Sequence, residues 1–119
     1  MKNTKYLGAV VYGLAALAAV AVALGIAPGG SAGDAAAGKT VYNNKCQICH
    51  GANGEGATGY AKAMGLQPAR LSSDQVQKKT DAELKKIIEE GSGKMKPVKG
   101  LSEIDIANVI AYVRTLAKK

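Results

Sequence analysis

Two cysteines and a histidine fall within five residues at Cys46-Gln47-Ile48-Cys49-His50, and the chain has no other cysteine or histidine. Cys-x-x-Cys-His is the attachment sequence for c-type haem: the two thiols form thioethers to the vinyl groups, and the imidazole that follows lies under the iron. On that reading Cys46 and Cys49 hold one covalent haem c, and His50 is its proximal ligand. Three other chemistries compete for the same residues. A redox dithiol needs a strand-helix-strand setting, and no convincing strand surrounds Cys46. A structural zinc site needs four ligands, and only three are present. A disulfide between cysteines three apart is open to a small domain but leaves the adjacent histidine without a role.

The 119 residues include neither Phe nor Trp, so the usual large fillers of a small core are missing. A buried porphyrin would supply that apolar bulk. Haem c is attached outside the cytoplasm, which turns attention to the N-terminus. Lys2 and Lys5 precede an uncharged run over residues 7–27, and 21 helical residues at about 1.5 Å each reach roughly the 30 Å of a bilayer core. Length favours a retained signal-anchor. Composition favours a cleaved signal peptide, because eight of those residues are Ala and three are Gly, and small-residue sites suited to signal peptidase follow at Ser31-Ala32-Gly33 and Ala35-Ala36-Ala37. The expectation is an anchor in the cytoplasmic membrane, with a soluble periplasmic protein after cleavage as its alternative. In either case the positive end stays cytoplasmic and the chain after residue 28 is exported. No cysteine ends the run, so a lipid anchor is not indicated.

The chain thus divides into residues 1–27 as signal-anchor or signal peptide, 28–37 as a flexible linker rich in Pro, Gly, Ser and Ala, and 38–119 as the folded domain, with order expected from about Asp34. Residues 35–49 carry helical spacing and deliver the haem motif at their C-terminal end. The Gly-rich stretch 51–56 lacks the Lys and the strand-turn-helix setting of a phosphate loop and is expected to reverse the chain beside the haem. A short helix is expected over 60–64, and Pro68 closes the irregular region. Thr80-Asp81-Ala82-Glu83 is a capping-box sequence, followed by Leu84, Ile87 and Ile88 on one face and stopped by Gly91. Ser102-Glu103-Ile104-Asp105 starts the last helix in the same way. There Ile106, Val109, Ile110, Val113 and Ala117 form the apolar stripe, with Asn108, Arg114 and Lys118 directed to water.

His50 is the single histidine, so a bis-histidine haem is excluded within one chain, and the iron has either an open position or a sixth ligand for which Met64 and Met95 are the thioether candidates. Met64 sits in a predicted short helix, where it serves as core filler. Met95 lies in a polar loop between two capped helices with Pro97 stiffening the backbone, and is the better candidate. His/Met ligation raises the reduction potential and suits electron transfer.

Together these residues resemble a small bacterial class I monohaem cytochrome c. The matching positions are Gly38, Tyr42, the run from Cys46 to Gly51, Pro68, residues 80–91, Met95-Lys96-Pro97, and 101–116 with Ala111-Tyr112-Val113. The resemblance spans about residues 35–117, and departs from a common family pattern where Lys96 separates Met95 from Pro97. It implies an all-α cytochrome c fold wrapped round the haem, preceded here by the N-terminal hydrophobic helix, in which the first domain helix crosses the last near Gly38, Tyr42 and Tyr112. It also implies that the Pro68 carbonyl accepts a hydrogen bond from His50 Nδ1–H.

From residue 34 onward 14 Lys and Arg stand against 9 Asp and Glu, a formal +5 before haem propionates. Lys94, Lys96 and Lys99 bracket Met95 and are candidates to steer acidic docking surfaces of redox partners, or simply form a solvated loop. Nucleic-acid binding is unsupported, and no small-molecule substrate is indicated. An electron carrier, not an enzyme, is the expectation. A subunit fixed in a membrane oxidoreductase complex and a five-coordinate gas-binding or peroxidase-like protein are the alternatives.

Overall fold

Asp34 caps a helix: its carboxylate accepts from the Ala36 and Ala37 amides at 2.8 and 3.3 Å, satisfying donors that a first turn leaves without partners. The computed structural model describes residues 33–118. The apolar run over 7–27 lies outside them. No helix among the described residues is long and apolar enough to cross a membrane.

Six helices follow in those residues: α1 (Ala35–Lys45), α2 (Gln47–His50), α3 (Gly59–Ala63), α4 (Asp74–Gln77), α5 (Asp81–Glu90) and α6 (Glu103–Thr115). The only extended pairing among them is an isolated bridge between Ser92 and Met95. Helix α1 starts at Ala35, where the helical spacing predicts it, and its first turn under the Asp34 cap runs through residues 35–37 of the expected linker. Two boundaries differ from the sequence expectation. The helix expected over 35–49 breaks at Cys46, whose φ of -120° leaves the helical range, and resumes as α2. Helix α3 begins at Gly59, one residue early, because Thr58 accepts from the Ala61 amide and caps it.

Both capping boxes form. Thr80 Oγ1 accepts from the Glu83 amide and the Glu83 carboxylate accepts from the Thr80 amide; Ser102 and Asp105 repeat the exchange at the start of α6. With its start fixed, α6 presents Ile106, Val109 and Ile110 inward. Val76, Leu84, Ile106 and Ile110 make one core cluster, with Leu71, Ile88, Leu101 and Val113 packed against it.

Helix α1 packs on α6 at very close range. A Cβ at Gly38 would overlap the Asn108 carbonyl, so only glycine lets the two backbones meet there. One turn on, Tyr42 is fully buried and its ring lies 5.1 Å from that of Tyr112, tilted by 54°. The crossing near Gly38, Tyr42 and Tyr112 is thus the one the family resemblance implies.

Two residues expected to face water instead tie α6 to its surroundings. Asn108 Oδ1 accepts from the Asp34 amide at 2.8 Å, because the close approach at Gly38 brings the start of α1 within reach. Arg114 donates to the Gln77 and Lys79 carbonyls at 2.9 and 2.6 Å and pairs with Asp81 at 2.7 Å. The fork of a guanidinium can satisfy three acceptors that a solvated lysine would leave to water. Replacing it, in Arg114→Gln, exposes the α4–α5 connection; the expected cost is about 2 kcal/mol, read as a melting temperature roughly 8–16 °C lower in the holoprotein, with Arg114→Lys recovering only part.

Candidate functional site

The Cys46–His50 motif stands where α1 ends, and the chain after it folds back to wrap the histidine. Tyr42 OH donates to the Gly51 carbonyl at 2.6 Å from within the core, so the residue following His50 is held by the α1–α6 crossing. Gly56 N–H then donates to the His50 carbonyl at 2.6 Å, and Leu71 N–H to the Gly54 carbonyl at 2.8 Å. A Cβ at Gly56 would meet the Pro68 carbonyl at 2.8 Å. Gly-rich sequence is therefore needed for residues 68–71 to lie directly against the loop after the motif. Ala57, with φ of 50°, takes a left-handed conformation without being glycine, a local strain at the end of this loop.

His50 Nδ1 lies 3.2 Å from the Ala69 carbonyl. A carbonyl only accepts, so the proton sits on Nδ1 and the Nε2 lone pair is left for a metal. Pro68, expected to accept this bond, does not: its carbonyl faces Gly56, and Leu71, pinned to Gly54, sets the register that brings Ala69 to the imidazole. Burial lowers the pKa of His50, opposed by the Ala69 bond, which keeps the ring in the neutral form that a metal takes.

Cys46 and Cys49 are both free and half-buried. Burial, together with the neighbouring Cys49, pushes the Cys46 thiol up to about 11. Redox-active thiols carry the opposite shift. Among the described residues no three His, Cys, Asp or Glu converge as a metal cluster.

Met95 is half-buried and closes, with Ser92, a tight turn whose tip is Gly93 and Lys94. Ser92 and Met95 exchange both backbone hydrogen bonds at 3.0 and 2.9 Å, and Val98 N–H donates to the Ile88 carbonyl at 2.9 Å, fastening the turn to the end of α5. Gly91 lies so close to the Met95 carbonyl that a Cβ would overlap it. Met64, read from the sequence as core filler, is 60% exposed, because α3 ends at Ala63 and leaves it as an outward cap. Lys94 donates to the Gly65 carbonyl at 3.2 Å; Lys96 and Lys99 are exposed. Sequence reasoning missed Ala69 and Lys94 in these roles, since each acts through register or reach that no motif carries.

The sequence profile of the cytochrome c family matches residues 35–117. Cytochrome c-554(547) of Halothiobacillus neapolitanus is 43% identical over 93 residues, covering 71% of this chain and 99% of that protein. The solved structure of the KustC0563 c-type cytochrome superposes with a TM-score of 0.58 at 26% identity, covering 68% of this chain and 98% of the other. With two free thiols and an imidazole prepared to give its Nε2, the chain belongs to the cytochrome c family and carries one covalently attached haem c.

Proposed function

We propose that this cytochrome is a one-electron carrier on the outer side of the cytoplasmic membrane, with His50 and Met95 as axial ligands and Cys46 and Cys49 as the thioether positions. The observation that carries the reading is the fixed imidazole: Nδ1 is committed to Ala69 and the ring is held in one tautomer, beside two thiols at the attachment spacing. When bound, the haem supplies an iron that cycles between two oxidation states. The chain's part is to keep the ligands still. His50 is braced through Gly51, Gly56 and Ala69, and Met95 sits in a turn with both ends tied to neighbouring backbone. Ligands that hardly move between the two states keep reorganisation small, and a filled sixth position leaves no place for a substrate.

Redox proteins with acidic docking surfaces are the partners that a net positive domain suits. The run over 7–27 behind Lys2 and Lys5 supports export and attachment to the membrane.

Carbon monoxide separates a filled iron from an open one. Reduced holoprotein is expected to keep its spectrum for seconds after mixing with the gas while passing its electron at once to an inorganic outer-sphere oxidant. A carbonyl spectrum complete within the mixing time would move the protein to the gas-binding class.

A further inference from the structure

We propose that Lys94 is a positioning residue that holds the Met95-bearing turn against the segment between α3 and Ala69, and so keeps the Met95 sulfur on the iron. The inference rests on Met95 being the sixth ligand. Lys94 precedes Met95 directly, and its Nζ donates to the Gly65 carbonyl at 3.2 Å, across 29 residues of sequence.

Each side of that bond leads to one ligand. On the Gly65 side, the Gly65 and Leu66 amides donate back into α3 at 3.1 and 2.8 Å, and four residues further Ala69 accepts from His50. On the Lys94 side, the Ser92–Met95 pair and the Val98 bond to Ile88 fasten the turn to α5. The hydrogen bonds of the turn itself thus anchor it to α5, and the Lys94 bond runs from it to the wall that carries His50's acceptor. That wall borders an open depression of about 420 Å³ formed by Ala57, Lys62, Gly65, Leu66, Gln67 and Pro68. Gly65 itself is exposed and a Cβ there would meet nothing within 4 Å, so the segment is not pressed into place by packing. A hydrogen bond that spans the two segments then limits how far they part, and parting is the movement that would take the sulfur away.

An ammonium bonded to an exposed carbonyl is worth a few-fold in such an opening equilibrium rather than orders of magnitude. Lys94 therefore stands apart from Lys96 and Lys99, which share its charge and flank the same ligand. The difference between them is geometric, and it sets the test.

Holoproteins carrying Lys94→Ala, Lys94→Arg and Lys96→Ala are compared with the native chain for two signals: the sulfur-to-iron charge-transfer band of the oxidised form, followed on warming, and the rate of carbon monoxide binding to the reduced form. Lys94→Ala is expected to bind the gas about fivefold faster and to lose its band at a lower temperature than the native protein. Lys94→Arg, which can still reach a carbonyl, restores both signals, and Lys96→Ala leaves both unchanged. Native behaviour in Lys94→Ala overturns the proposal, as does an equal effect in Lys96→Ala, which would assign the change to charge alone. A native protein lacking the band overturns the Met95 reading itself, and the Lys94 proposal with it.

Discussion

Met95→Ala, with Met95 as the proposed sixth ligand, is expected to leave an open haem iron. The variant loses the sulfur-to-iron band of the oxidised form, binds carbon monoxide within the mixing time when reduced, and shows a lower reduction potential. The direction of the last change follows from the ligand: a thioether is a soft donor that favours the reduced iron, which is why His/Met ligation raises the potential. If the sulfur favours the reduced state by about a hundredfold, its loss lowers the potential by about 120 mV, at 59 mV per tenfold for one electron. Folding should survive, because Met95 is only half-buried and the turn around it is held by backbone hydrogen bonds that alanine keeps. The parallel variant Met64→Ala should leave all three signals alone, since that side chain is exposed at the end of α3. A Met64→Ala protein without the band, beside a Met95→Ala protein that retains it, would exchange the two roles.

The largest structural effect is expected from Gly38→Val. A side chain there has nowhere to go: its first carbon would occupy the position of the Asn108 carbonyl, and Val109 N lies 2.9 Å from it. Backbone cannot step aside as a flexible side chain can, so α1 and α6 must separate. That separation loosens the Tyr42–Tyr112 contact and the bond from Tyr42 to Gly51, which transmits the damage to the loop behind His50. Overpacking of this kind costs about 3 kcal/mol, a fall of roughly 12–24 °C in melting temperature for a domain of this size. Gly59→Ala is the control, because a Cβ at Gly59 meets nothing within 4 Å. Thermal melts of the holoproteins that place Gly38→Val within a few degrees of native would show that the crossing tolerates separation.

The parts of this protein that sequence reveals are those in which chemistry is local. Cys46, Cys49 and His50 declare themselves because thioether formation and ligation need fixed spacing. Helices α5 and α6 are legible from their first residues, since Thr80 with Glu83 and Ser102 with Asp105 form the capping exchanges that their spacing predicts. Where a role depends on residues far apart, the sequence is silent. Arg114 occupies a helical position that periodicity directs to water, yet Gln77, Lys79 and Asp81 converge on it from 33 to 37 residues away. The acceptor for His50 moves from Pro68 to Ala69 because a hydrogen bond from Leu71 to Gly54 sets the register, and no propensity records a register. The break at Cys46 is likewise invisible to a pattern that keeps its spacing through residue 49.

The central claim is that His50 and Met95 together fill the axial positions of a haem c. The near-infrared spectrum of the oxidised native holoprotein at neutral pH tests it most directly. A sulfur-to-iron charge-transfer band is the predicted result, and it requires a thioether on a low-spin ferric iron. Its absence, with a high-spin spectrum or one of nitrogen ligation alone, would contradict the account.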